Sequence, residues 1–340
     1  MGASLLSCNS SSIEGVWIAS YSISHKGDTM SLSQILDFYT SDSVSVQSLF
    51  FDYTISYYYK VDNNNLSINN DSASFNYKFY QKHDKLHLFI EDSEDDTIDE
   101  GEVHKLRTKE IVYFKSPELS TKTKLSPDII RGPFALQSEE LGTDTLEFVN
   151  DSLYIFRNNY GYKDIRTWRL HTKKNIQFIE LWVEYNSGNP VILSLLDIDN
   201  NSFTASPNTD EKIKIRFTPI KDVFNKPDIT GTWTEDSIMT IRFPFEHNTD
   251  TIFFKTNLTY YITQDSIICD KYPPLKYISD YTGKELISMR KKKDEDGKEY
   301  DEYYHYEIID NSNEKIIFGV SPRIGKYYYN FHYLTRYNTK

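Results

Sequence analysis

One five-residue pattern, Ile-x-Gly-x-aromatic, occurs three times in this chain at domain-length spacing. The copies are Ile13-Glu14-Gly15-Val16-Trp17, Ile130-Arg131-Gly132-Pro133-Phe134 and Ile229-Thr230-Gly231-Thr232-Trp233. The second and third follow Pro127-Asp128 and Pro227-Asp228. Each copy opens a unit that also closes alike: Ile111–Pro117, Ile213–Pro219 and Phe331–Tyr337 are short runs of alternating apolar and polar residues. A period of roughly 100 residues is the length of a domain, not of a blade or a solenoid turn. The repeats divide the 340 residues into units at 11–118, 127–221 and 228–340, with residues 1–10 standing apart. Short joins containing Pro and Lys separate the units.

Within a unit the text reads strand, turn, strand. Asp144–Val149 leads through Asn150-Asp151 to Ser152–Phe156, and Asn175–Val183 and Lys212–Phe217 alternate with period two. Turn signals such as Asn200-Asn201, Asp296-Gly297 and Asn311-Ser312-Asn313 separate such runs. About eight strands fit in each unit, the number expected of a small closed barrel. The 27 Tyr, 20 Phe and 4 Trp suit pleated, half-buried surfaces and argue against a disordered chain. Helical periodicity is almost missing; only Ser31–Asp37 reads as a helical turn. The expected fold is all-β: three tandem antiparallel β-barrel or barrel-like domains.

Gly15-Val16-Trp17 and Gly231-Thr232-Trp233, with a basic residue late in the unit, resemble the Gly-x-Trp signature of the lipocalin-like β-barrels of bacterial lipoproteins. The resemblance implies a tryptophan plugging the barrel floor and a late arginine packed over it. Those roles fall on Gly15, Trp17, Gly132, Phe134, Gly231 and Trp233, with Arg216 and Arg336 as the late arginines. Unit 2 departs in carrying Phe134 for Trp, and unit 1 in carrying Lys115 for Arg. The implied role is structural, and no catalytic residue comes with it.

The chain opens Met1–Ser7 before Cys8, and Leu5-Leu6-Ser7-Cys8 resembles the lipobox whose cysteine becomes the acylated N-terminus of bacterial lipoproteins. Cys8 is therefore the expected lipid attachment point. No basic n-region precedes it and the apolar run is short, so the expectation is that translation starts further upstream. No later run reaches 18 apolar residues, the length that marks a spanning helix. The expected location is the cell envelope, anchored by lipid in the outer membrane. Asn9-Ser10-Ser11-Ser12, in place of acidic residues after the cysteine, favours the periplasmic face over the surface.

Nine tripeptides read Asp, Ser/Thr, apolar, with hydroxyls at Thr29, Ser43, Ser72, Thr97, Thr145, Ser152, Ser237, Thr251 and Ser266. Composition alone gives about one or two. The pattern resembles an O-glycosylation acceptor of exported proteins in one large bacterial group. It equally fits an Asp in a turn followed by the start of a strand.

Catalytic and metal signatures are scarce. The sequence holds no nucleophile elbow and no phosphate-cradling glycine loop, and it calls for no cofactor. His83 and His87 are spaced i,i+4, but on the alternating segment Lys85–Ile90 they stand about 13 Å apart, too far to share one ion. In the acidic stretch 92–102, Asp92, Glu94 and Asp96 form a calcium candidate that lacks the glycine and final glutamate of a calcium loop. Cys269 lies on a strand as a buried inert thiol. A net charge of -12, and a basic run Arg290–Lys293 followed at once by Asp294-Glu295-Asp296, exclude nucleic acid as partner. That run reads as one arm of a charged hairpin.

Three functional classes follow. The first is a non-enzymatic interaction or scaffold lipoprotein whose partners are other envelope proteins. The second is a binder of a small apolar ligand or a glycan, using a barrel cavity or tyrosine-rich surfaces such as Tyr57-Tyr58-Tyr59. Barrels filled by aromatic side chains exclude the cavity version. The third is an envelope glycan hydrolase, which needs two carboxylates facing each other across a cleft.

Overall fold

A computed structural model describes residues 13–24, 27–32, 34–49, 53–90, 108–119, 123–137, 144–159, 163–182, 190–199, 201–207, 213–221, 226–242, 250–293, 297, 299–312, 314–321 and 328–337. The chain is all-β and forms three eight-stranded antiparallel barrels. Barrel 1 comprises β1 (Gly15–Ser24), β2 (Thr29–Ser31), β3 (Gln34–Phe38), β4 (Ser43–Ser48), β5 (Tyr53–Asp62), β6 (Asn65–Asn69), β7 (Ser74–Lys82), β8 (Lys85–Ile90) and β9 (Thr108–Lys115). A single helical turn, α1 (Pro127–Ile130), leads into barrel 2. That barrel comprises β10 (Gly132–Gln137), β11 (Asp144–Phe148), β12 (Leu153–Arg157), β13 (Lys163–Lys173), β14 (Ile176–Leu181), β15 (Val191–Asp199), β16 (Ser202–Pro207) and β17 (Ile215–Pro219). Barrel 3 comprises β18 (Gly231–Arg242), β19 (Asp250–Ile262), β20 (Ser266–Cys269), β21 (Tyr272–Ser279), β22 (Glu285–Lys293), β23 (Glu299–Asn311), β24 (Lys315–Ser321) and β25 (Tyr328–Arg336).

Every barrel is a simple meander closed by pairing its first strand with its last: β1 with β9, β10 with β17 and β18 with β25. In barrel 1 the first strand is longer than its neighbour. Its start pairs with β3 and its end with the three-residue β2, so β2 and β3 together fill one place in the ring. The segment Ser31–Asp37, expected as a helical turn, is thus strand on either side of a short break. Pairing on both edges wins over the local helical pattern, because Ile35 and Leu36 are each buried but on opposite faces.

The chain divides into two compact units, 1–220 and 221–340. The first contains barrels 1 and 2, although the repeat marks them as separate. Its cement is an apolar layer between outer walls: Val16, Ile18 and Ile35 from β1 and β3, with Leu49, meet Ile176, Phe178 and Ile192 from β14 and β15. These outward positions alternate with the inward Trp17, Ala19 and Leu36 on the same strands. Polar contacts border the layer, with Lys173 Nζ 3.4 Å from Asp37 and the hydroxyls of Ser116 and Ser194 3.3 Å apart.

The join after barrel 1 is also packed, where the sequence suggests a linker. Leu119, Leu125 and Ile130 are buried in the core of barrel 2. Gln177 clasps the join through its amide, accepting from Leu125 N at 2.8 Å and donating to Leu125 O at 2.9 Å. Pro127 sits where a first helical turn needs no N–H donor, and α1 ends by driving the fully buried Ile130 inward.

Barrel 2 is filled by its own aromatic rings. Phe134 lies 5.3 Å from Phe203, Phe203 stacks on Phe217 at 4.3 Å, and Phe148 meets Trp168 at 4.5 Å. Trp168 comes from β13, not from the repeat motif, and its indole N–H donates to Asn150 O at 2.8 Å. The tryptophan missing from position 134 is thereby supplied by another strand. Trp168→Ala should cost the 1–220 unit about 3–5 kcal/mol in urea unfolding. Trp168→Phe, which loses the N–H bond and part of the buried ring volume, should cost less, about 1–3 kcal/mol.

Candidate functional site

The repeat motif builds the closed end of barrels 1 and 3. The indole N–H of Trp17 donates to the carbonyl of Ile13 at 2.7 Å, and that of Trp233 to Ile229 at 2.9 Å. Both tryptophans are fully buried, and both isoleucines are buried as well. A polar N–H can be sealed under a barrel only if it finds an acceptor, and the carbonyl four residues back provides it. A cation covers each indole: Lys115 Nζ stands 5.5 Å from the Trp17 ring and the Arg336 guanidinium 5.1 Å from Trp233. Arg336 also donates to Thr230 O at 2.8 Å.

The glycine makes room for this cation. A Cβ on Gly15 would stand 2.9 Å from Lys115 Cε, and one on Gly231 3.5 Å from an Arg336 nitrogen. Their φ angles of +123° and +130° also disfavour any side chain. Gly132 keeps the φ, at +114°, but its missing Cβ would meet nothing. Register explains why. Trp17 pairs with Lys115 and Trp233 with Arg336, whereas Phe134 pairs with Pro219. Arg216, the residue expected over Phe134, instead pairs with Gln137, is half exposed and lies 4.0 Å from Asp199. Unit 2 has lost tryptophan and cation together.

The other sequence candidates fall as follows. Cys8, Thr97, Asp92, Glu94 and Asp96 lie outside the described residues. Thr29, Ser72, Ser152 and Thr251 are exposed, while Ser43, Thr145, Ser237 and Ser266 are half-buried. Ser43 and Ser266 begin β4 and β20, and their hydroxyls donate to Asp42 and Asp265, each at 2.9 Å. The hydroxyl bonds from Thr40 and Ser43 hold the Asp42 carboxyl below its ordinary range, and those from Ser266 and Thr263 do the same for Asp265. His83 occupies the β7–β8 turn with φ +53°, while His87 lies 2.6 Å from Glu110 and stacks on Tyr80. Among the described residues no group of three His, Cys, Asp or Glu could hold a metal ion. Lys291 and Lys293 pair in register with Asp301 and Glu299, so the basic run is one arm of a charged hairpin.

Histidine–carboxylate contacts recur: His171 with Glu180 at 2.6 Å, His332 with Glu235 at 2.5 Å, and His305 with Glu285. Other buried acids are also engaged, Glu147 by Arg157 and Asp164 by Arg166. A cleft of about 370 Å³ opens at the closed end of barrel 3 beside Lys226, Asp228, Gln264 and Ser279. Its acid is already taken, since Asp228 accepts from the backbone and hydroxyl of Thr230.

Two interior features set barrels 1 and 3 apart from the filled barrel 2. In barrel 1 the inward residues of β5 grade outward from buried Tyr59 through half-buried Tyr57 to Ile55, 38% exposed, and Tyr53, 47% exposed. Phe75 on β7, 42% exposed, meets Tyr57 and lies parallel to Tyr77. The open end is thus walled by aromatic faces, with Tyr58 pointing out to solvent between Tyr57 and Tyr59. In barrel 3 a polar cluster stands within the apolar core beside the tryptophan floor. Glu235, fully buried, accepts from Tyr260 at 3.2 Å on the oxygen that also contacts His332. Burial, then Glu235, pushes the Tyr260 phenol far up, and burial raises the Cys269 thiol beside it. Neither Trp168 nor the Glu235 cluster stands out in the sequence. The usable signal is the second residue after each motif aromatic, which reads Ala19, Leu136, Glu235.

The fold defines the chain as a tandem of three eight-stranded antiparallel β-barrels. No family model and no curated protein matches it. Among solved structures, isotype 1 transferrin binding protein B from serogroup B Neisseria meningitidis aligns with 92% of this chain and 67% of its own length. The identity is 8% and the TM-score 0.19, too slight a likeness to bear on function.

Two measurements follow. Arg336→Met should destabilise the 221–340 unit by about 1–2 kcal/mol, and a double-mutant cycle with Trp233→Leu should return a coupling of about 0.5–1 kcal/mol. The second concerns Tyr306, whose phenol is pushed up to about 12 by burial, then by Tyr304 and Cys269. A folded-state pKa above the unfolded value of 10.0 leaves stability intact below pH 10 and removes it as pH rises towards 12. Tyr306→Phe should flatten that alkaline loss in unfolding curves.

Proposed function

We propose that this chain is a non-enzymatic binding module of the bacterial cell envelope, of lipocalin-like build, tethered through a lipid on Cys8. The observation that carries the reading is the open end of barrel 1. Tyr53, Ile55 and Phe75 point inward by strand alternation yet remain exposed, so the barrel presents apolar and aromatic surface where a filled barrel hides it. Such rings favour contact with a glycan or another envelope protein. The sealed floors beneath barrels 1 and 3 support a passive role, since they spend the motif residues on structure. The packed interior of barrel 2 argues against an apolar ligand there. A hydrolase finds no support in the buried acids named above, each of which is held by a histidine, arginine or tyrosine.

Peptide mass spectrometry of the protein from its native membrane fraction tests the tether. The expected result is a diacyl or triacyl mass on Cys8; an unmodified Cys8 in a cytosolic protein overturns it. For the binding surface, the variant Tyr53→Ser/Phe75→Ser should fold with stability changed by about 0.5 kcal/mol or less per site. Photo-crosslinks from position 55 in the intact envelope should lose their major adduct in that variant. The adduct's mass distinguishes glycan from protein, and an unchanged adduct sinks the barrel 1 surface.

A further inference from the structure

The polar cluster inside barrel 3 has no counterpart at the matching positions of its sister barrels. Two residues beyond the motif aromatic, on the inward face of the first strand, stand Ala19, Leu136 and Glu235. Opposite the motif aromatic on the second strand stand Leu36, Leu146 and Tyr260. Four residues before the floor position on the closing strand stand Ile111, Ile215 and His332. Barrels 1 and 2 therefore close around apolar side chains at three sites where barrel 3 gathers a carboxylate, a phenol and an imidazole. A barrel of this kind does not need these groups to fold, and burying a carboxylate is costly unless its oxygens are bonded.

In barrel 3 they are only half bonded. Oε1 of Glu235 meets both His332 and Tyr260, while Oε2 is buried and has no hydrogen-bond partner among the described residues. A second buried polar atom, the hydroxyl of Ser288 on β22, likewise has no hydrogen-bond partner among the described residues. Ser288 is fully buried and pairs in register with Tyr277, a core residue, so it points inward as well. Counting round the ring, β22 lies four strands from β18 in either direction. The two unsatisfied atoms therefore face one interior from opposite walls, an interior that Tyr260, Tyr306 and Phe318 also line.

We propose that the interior of barrel 3 binds a small primary ammonium ligand, whose N–H donors go to Glu235 Oε2 and Ser288 Oγ. An ammonium supplies three donors and no acceptor, which matches an unsatisfied carboxylate oxygen and a hydroxyl free to accept. Its charge offsets that of Glu235, whose basic neighbour in the cluster is the imidazole of His332. The tyrosine and phenylalanine faces attract a cation through their ring quadrupoles. The site deepens the binding-module reading but does not depend on the barrel 1 surface or on Cys8.

Calorimetric titration of the full chain with n-butylammonium chloride tests the proposal, with n-butanol as the neutral probe of similar shape. The expected result is saturable binding of n-butylammonium with little binding of n-butanol. Glu235→Gln should weaken it by about tenfold or more, because a charge-assisted bond is lost. Ser288→Ala, remote from the histidine pair, should weaken it by a smaller but measurable factor. Both variants are compared only after their melting curves show a folded 221–340 unit. Equal binding of the two probes, no binding of n-butylammonium, or unchanged affinity in folded Glu235→Gln overturns the site. If those results accompany an acylated Cys8 and crosslinks from barrel 1, the ammonium site alone fails and the wider reading stands.

Discussion

An indole N–H reaching back to a carbonyl four residues earlier closes the bottom of two of these barrels. That single bond fixes where the first strand enters, because Ile13 or Ile229 must stay within reach of its tryptophan. The entering chain then has to pass tightly under the sheet, which requires glycine's backbone freedom between the two residues. A cation from the last strand covers the ring, so first and last strands are pinned to one another in register. Ring closure, register and floor burial all depend on one small cluster in each barrel.

Barrel 2 shows what happens when the cluster is dismantled. Phenylalanine cannot donate, proline cannot cover a ring with charge, and the glycine keeps its unusual backbone angle with no side chain to admit. The lost volume and the lost N–H both return through Trp168, from a strand the motif never touches. The join before the barrel contributes Leu119, Leu125 and Ile130 to the same core. The motif is therefore one solution to sealing a barrel, and a well-packed interior is another.

The three-fold repeat and the meander of short strands were legible because both are periodic, one at domain length and one at period two. Register was not. Searching for a basic residue late in each unit finds Arg216, but the strand pairing puts Pro219 at the equivalent place, and no local feature of the sequence distinguishes them. Ser31–Asp37 looked helical because burial on both faces of a strand erases alternation. Glu235 and His332 meet across 97 positions of sequence, a separation at which spacing carries no information. Their inward direction becomes readable only when the three units are aligned on the motif and compared with one another. The aromatic open end of barrel 1 was partly legible, since three successive tyrosines on a strand must face both ways.

The apolar layer joining barrels 1 and 2 has a consequence for how the protein is made. Val16, Ile18 and Ile35 lie on strands that leave the ribosome well before the residues that cover them, since Ile176, Phe178 and Ile192 emerge only after much of barrel 2 has been synthesised. Until then barrel 1 carries an apolar outer wall without this cover, the kind of transient surface that chaperones recognise. Barrels 1 and 2, joined through that layer, complete their burial only as a pair, whereas barrel 3 is a compact unit from a single repeat. Any duplication or loss that reshaped this chain would have been tolerated most easily at the boundary near residue 220.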